Sequence, residues 1–111
     1  MADHHYKKSD LQDFSKITEW QEAMGNKFFD YYAEVFKEGA LTAREKKLIA
    51  LAVAHSEACP YCIDAYTDAC LQGGCDEEQM MEAVHVAAAI KSGATLVNSV
   101  QMMNQGKKML M

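Results

Sequence analysis

A chain of 111 residues, half of them hydrophobic, has material for one compact domain, 1–111, and for a core that is adequate rather than generous. A formal charge of −5, with eleven scattered Lys and Arg, provides no basic surface for nucleic acid or an anionic membrane. One proline and six glycines leave little room for hairpin turns, and no segment sustains the alternation of a half-buried strand.

In chain order, the polar start "MADHHYKKSD" lacks the apolar core of a signal peptide. "SDLQDFSKITEWQEAM" carries a Ser9/Asp10 cap and apolar residues at Leu11, Phe14 and Ile17, which predicts a helix. "NKFFDYYAEVFKEG" places Phe28, Tyr32, Val35 and Phe36 on one helical face, with Gly39 as the expected stop. "TAREKKLIALAVAHSEA" begins with Thr42 and Glu45 in capping-box spacing and then turns aliphatic nearly all round, which marks a central helix. Its run "LIALAVA" is far short of the ~20 residues that span a bilayer. Without a signal peptide or a span, a cytoplasmic protein is expected, and there four cysteines point to redox or metal chemistry before structural disulfides.

Pro60 is suited to the first position of a helix running to about Leu71 and ended by Gly73-Gly74. Asp76 caps a further helix, "EEQMMEAVHVAAAIKS", expected to end at Gly93, and a last helix covers roughly 95–105. The methionines read as adaptable core or interface filler, and "VAAAI" as a face for close helix packing, within the chain or against a second subunit. The fold class expected is all-α, with five or six helices joined by short connections.

With Pro60 at the first helical position, Cys59 is the N-cap and Cys62 the third residue of its helix. Unpaired N–H groups and the helix dipole favour a thiolate there, and an i, i+3 pair is near enough for a disulfide. Three readings fit the pair: a redox dithiol, half of a zinc site, and inert packing. The zinc reading lacks a second pair, because Cys70, Cys75, His55 and His85 form no C-x-x-C or H-x₃₋₅-H. Neither a metal nor a cofactor is expected. Cys70 lies about 12 Å along the helix from Cys62, too far to pair with it. Cys70 and Cys75 flank the double glycine and read first as incidental thiols, with a bridge across the turn as the alternative.

The segments "LTAREKKLIALAVAHSEACPYCIDAYTDACLQGG" (41–74) and "DEEQMMEAVHVAAAIKSGA" (76–94) resemble the carboxymuconolactone decarboxylase-like superfamily, in its alkylhydroperoxidase-D-like thiol branch. "CPYCIDAYTDACL" and "EAVHVAAAIKSGATLVNSVQMMN" look like its peroxidase-like members associated with arsenosugar biosynthesis. The resemblance implies an alkylhydroperoxidase-D-like helical bundle, a homo-oligomer (trimer or hexamer) and reduction of hydroperoxides by a Cys59/Cys62 dithiol that a cellular thiol or dithiol restores. It also implies a glutamate twelve residues before the first cysteine and a histidine four after the second, as a proton relay. Lys47 and Tyr66 stand at those positions.

The catalytic candidates are therefore Cys59 and Cys62, with His85, His55 and Tyr66 as groups that could serve the thiols. A histidine can take the proton of a thiol, whereas a phenol of ordinary pKa near 10 donates a hydrogen bond but is a poor base. Glu45 reads first as half of the capping box. Vicinal thiols also bind trivalent arsenic, so an arsenical-binding accessory protein without turnover is the alternative function.

Overall fold

A computed structural model describes residues 6–110. Among them there is no strand: a 3-10 helix, Lys8–Glu19, is followed by five α-helices. These are α1 (Glu22–Phe36), α2 (Ala43–Ser56), α3 (Pro60–Gln72), α4 (Glu77–Val97) and α5 (Ser99–Leu110). The expected all-α fold is the observed one. No helix among the described residues is long and apolar enough to cross a membrane.

The central helix is α2, which packs most extensively against α3 and α4, while the 3-10 helix lies against α1 and α3. Its position follows from its residues: Leu51 and Ala54 are buried, and Leu51 shares a core with Cys70 and Cys75. Leu48, Tyr66 and Met80 pack around that core. The Thr42–Glu45 capping box forms in full, with Glu45 N–H donating to Thr42 Oγ1 at 3.1 Å and Thr42 N–H to Glu45 Oε1 at 2.7 Å. Asp76 and Gln79 repeat the device at the start of α4. Lys46 reaches back from α2 to donate to the carbonyls of Val35 (2.7 Å) and Lys37, which satisfies the open end of α1.

Four expected boundaries are corrected. One is that of the last helix, which spans Ser99–Leu110 rather than about 95–105, because residues 95–97 continue α4. The first segment is a 3-10 helix without a side-chain cap at its start, not an α-helix capped by Ser9/Asp10. Ser9, Asp10, Asp13 and Ser15 compete for backbone hydrogen bonds and support an α-helix poorly. Its close approach to α1 requires a glycine: a Cβ on the buried Gly25 would lie 2.7 Å from Thr18 Cγ2 and 2.9 Å from Thr18 Cα. Gly39 is not a helix stop, because α1 has already ended at Phe36 with Lys37 extended. Gly93 does not end α4, which runs on to Val97. A glycine stops a helix by adopting positive φ, and Gly74 is the only glycine among the described residues that does so.

Gly74, at φ 83°, closes α3 in a Schellman motif. Its N–H donates to Leu71 O at 3.3 Å, and Cys75 N–H donates to Cys70 O at 2.9 Å. Gly74→Ala is expected to lower stability by about 1–2 kcal/mol, since a Cβ is disfavoured in that region. A shift in the urea midpoint with unchanged slope is the measurement; an unshifted midpoint would count against the motif.

Candidate functional site

The thiol pair sits where two helix ends meet. Helix α2 also closes in a Schellman motif, with Ala58 N–H donating to His55 O and Cys59 N–H to Ala54 O, both at 3.0 Å. The left-handed position is filled by Ala58, at φ 52°, where a side chain costs roughly 1–2 kcal/mol. Cys59 is thus both the residue that follows this turn and the N-cap of α3. Its Sγ accepts the N–H of Cys62 at 3.2 Å, as the sequence pattern requires. A strained turn therefore aims one sulfur at the positive end of a helix.

Cys59 and Cys62 are free thiols, each half-buried. Burial pushes the Cys62 thiol up to about 11, helped by its hydrogen bond to Cys59 and by the charge of that neighbour. Cys62 is thus held protonated at neutral pH.

Two cavities, of about 510 and 420 Å³, open on either side of the pair. The larger lies among α1, α2 and α3, with Val35, Phe36, Ile49 and Val53 in its walls. The smaller lies beneath the 3-10 helix, with Leu11, Phe14 and Ile17. Four residues line both: Tyr32, Cys59, Cys62 and Tyr66. The hydroxyls of Tyr32 and Tyr66 hydrogen-bond to each other, and the Tyr66 ring stacks on Phe36 with centroids 5.4 Å apart. The Tyr32 phenol is raised above its ordinary value by burial, then by the nearby charges of Cys62 and Cys59.

Of the residues singled out in the sequence, Cys59, Cys62 and Tyr66 come together and the histidines do not. His55 does not stand one helical turn before Cys59, because the Ala58 turn interrupts the helix. Its Nδ1 donates instead to Leu51 O at 2.8 Å, and His55 lines neither cavity. His85 is exposed on α4 rather than held in a core, and it too lines neither cavity. Glu45 stays in its capping box. Glu57, two residues before Cys59, lines the larger cavity. Lys47, at the position of the relay glutamate, lies across Gly73 at the far end of α3. Among the described residues no group of three or more His, Cys, Asp or Glu is placed to hold a metal.

Tyr32 is the site residue that sequence reasoning missed. It reads there as one more member of an apolar helix face, and its partner Tyr66 is 34 residues away. Tyr61 likewise carries no signal in the sequence; its hydroxyl donates to Asp10 Oδ2 at 2.9 Å and ties the 3-10 helix over the start of α3.

Over 65 residues, 59% of each chain, the protein is 45% identical to "Uncharacterized protein 4 in cox locus" of Paracoccus denitrificans, so the match spans under two thirds of that relative. A crystal structure of a Methanobacterium thermoautotrophicum protein superposes with a TM-score of 0.74 at 29% identity, covering 78% of this chain and 97% of that one. A Thermotoga maritima protein shares the fold, with a TM-score of 0.59 at 23% identity over 78% of this chain and 81% of its own. The model of the carboxymuconolactone decarboxylase family matches residues 22–105, the whole of α1 to α4 and most of α5, and the chain belongs to that family.

Proposed function

We propose that the protein is a dithiol-dependent oxidoreductase that reduces hydroperoxides through a Cys59/Cys62 disulfide cycle. The observation that carries the reading is the meeting of both thiols with the Tyr32–Tyr66 phenol pair at the junction of two apolar cavities. Cys59 is the attacking thiolate, since Cys62 is held protonated and the N-cap position favours negative charge. Its sulfur takes the terminal oxygen of the hydroperoxide, the O–O bond breaks, and the departing alkoxide or hydroxide receives a proton from the phenol pair. The Cys62 thiol then displaces water from the sulfenic acid, which leaves the 59–62 disulfide. A cellular thiol or dithiol returns the two electrons.

The phenols act as donors, not bases. Tyr32 holds its proton more tightly than a free tyrosine and so stays a phenol at neutral pH; the leaving alkoxide or hydroxide, a far stronger base than a phenolate, takes the proton from it. One equivalent of hydrogen peroxide is expected to produce an intramolecular 59–62 linkage, mapped by mass spectrometry, with helix content unchanged. Intermolecular bonds as the main product would refute the cycle. Stoichiometric capture of arsenite by the same pair, without peroxide turnover, would support the accessory role instead.

The site belongs to an assembly of copies of this chain in the same reading. A compact monomer of 12.4 kDa exposes about 6,100 Å² by mass scaling, whereas this protomer exposes 8,950 Å². Its radius of gyration is 19.1 Å, against about 13 Å for a compact chain of this length. Val86, Ile90, Leu96, Val97, Val100 and Met102 on α4 and α5 are each more than half exposed. A trimer or hexamer would cover them; light scattering at micromolar concentration is expected to find one, and a stable monomer would refute it.

A further inference from the structure

Cys70 and Cys75 pack in the core with Leu51 but take part in no chemistry described so far, and they are among the most buried side chains, 0% and 5% exposed. Their proximity is a consequence of backbone geometry. In a Schellman motif the residue after the left-handed position packs against the residue five before it, and here both are cysteines. The 2.9 Å bond from Cys75 N–H to Cys70 O holds the two main chains against each other, and the two thiols are hydrogen-bonded side chain to side chain; a disulfide needs Cα atoms about 4.4–6.8 Å apart. Both thiols are free and belong to one core with Leu51.

A cation lies beside them. Lys47 crosses the turn so closely that a Cβ on Gly73 would be 3.0 Å from its Nζ and 3.3 Å from its Cδ. Burial, then the neighbouring Cys75, pushes the Cys70 thiol up to about 11, and the Lys47 ammonium opposes that rise. Lys47 stands where the family resemblance implies a glutamate serving the other dithiol, so it places a positive charge by the second pair.

We propose that Cys70 and Cys75 are a second redox-active dithiol, which small hydroperoxides convert to an intramolecular disulfide across the α3–α4 turn, with Lys47 as its positioning cation. The chemistry needs only the two thiols and one hydroperoxide. The Cys75 sulfur attacks an oxygen, the O–O bond breaks, its proton passes to the departing oxygen, and a sulfenic acid and an alcohol or water result. The Cys70 thiol, held protonated by its burial, then displaces water from the sulfenic acid and the S–S bond forms, the thiols having lost two electrons to the peroxide. Entry is through fraying of the last turn of α3 at Gly73-Gly74, so hydrogen peroxide reacts and bulky hydroperoxides do not. The disulfide fastens the end of the helix that carries Cys62 to the start of α4.

The test uses the full chain bearing Cys59→Ser and Cys62→Ser, treated with hydrogen peroxide under native conditions, then alkylated and mapped. The expected product is the 70–75 linkage, with a raised thermal midpoint, both reversed by dithiothreitol. Lys47→Met, which keeps the stem over Gly73, is expected to slow this linkage several-fold at pH 8. In the chain with all four cysteines it leaves the rate of 59–62 closure unchanged. Recovery of Cys70 and Cys75 as free thiols, as sulfinic acids or in intermolecular bonds overturns the proposal; an unaltered rate in Lys47→Met overturns the role of the lysine. Should the double serine variant not fold, the linkage is sought in the four-cysteine chain. There, its absence once 59–62 is fully oxidised overturns the proposal equally, whatever the peroxidase activity proves to be.

Discussion

Cys59→Ser is expected to bring dithiol-dependent turnover of hydrogen peroxide down to the uncatalysed rate, a loss of at least about 100-fold, because a serine hydroxyl at neutral pH is not a nucleophile for peroxide oxygen. Cys62→Ser is expected to stop the cycle differently: one equivalent of peroxide is consumed and the protein stalls as a sulfenic acid or a mixed disulfide. The two variants thus separate attack from resolution. If Cys62→Ser instead abolishes even the first turnover while Cys59→Ser retains it, the roles are reversed. The phenol pair enters the same assay. Loss of a general acid costs about 10²–10⁴-fold, and Tyr66→Phe leaves Tyr32 in place, so its loss is set lower, about 10–100-fold. The double variant with Tyr32→Phe is expected to be less damaging than the product of the single losses, since the hydroxyls act as one unit. His55→Ala and His85→Ala are expected to change turnover little, because neither ring lines a cavity beside the thiols. A histidine variant more damaging than Tyr66→Phe would return proton handling to that histidine.

The second large effect is on stability. Leu51→Ala is expected to cost about 2–5 kcal/mol, the range for removing a leucine from a packed interior. Leu51 is 2% exposed and contacts the core that joins α2 to the α3–α4 turn. Few side chains in the protomer are so fully enclosed, and little else compensates. Denaturant midpoints should be compared at a fixed protein concentration, because subunit association would contribute to the apparent stability. A loss under about 1 kcal/mol would mean that the site collapses around the smaller residue.

Cys59→Ser and Leu51→Ala act at opposite ends of α3, the second from α2 through its contact with Cys70. The first turn of α3 carries the thiols at a cavity junction; its last turn buries Cys70 against Leu51 and Cys75. Tyr66 lies between, packed on the core and hydrogen-bonded across to α1. Loosening the core at Leu51 is therefore expected to disturb the phenol pair as well as the global stability.

Local features are legible in the residues themselves. Thr42–Glu45, Pro60 with Cys59 as N-cap, Gly73-Gly74 and Asp76 are short-range devices whose geometry depends on neighbours within a few residues, and each forms where the spacing places it. The misplaced boundaries have a common origin. Glycine identity does not specify the sign of φ, so Gly39 and Gly93 resemble Gly74 in the sequence and not in the fold. Ala58 is the converse case, a left-handed residue with no glycine to announce it. That turn separates His55 from the helix of Cys59, and the ring lines neither cavity beside the thiols.

By itself, the sequence determined the helical class, the order of the helices and the Cys59/Cys62 pair at a helix start, because periodicity, capping and i, i+3 spacing are properties of contiguous residues. Only the tertiary structure decided which side chains meet those thiols. The Tyr32–Tyr66 contact, the exposure of His85 outside both cavities and the crossing of Lys47 over Gly73 depend on how α1, α2, α3 and α4 pack against one another. Each joins or separates residues more than a helix length apart, and no local pattern encodes that distance.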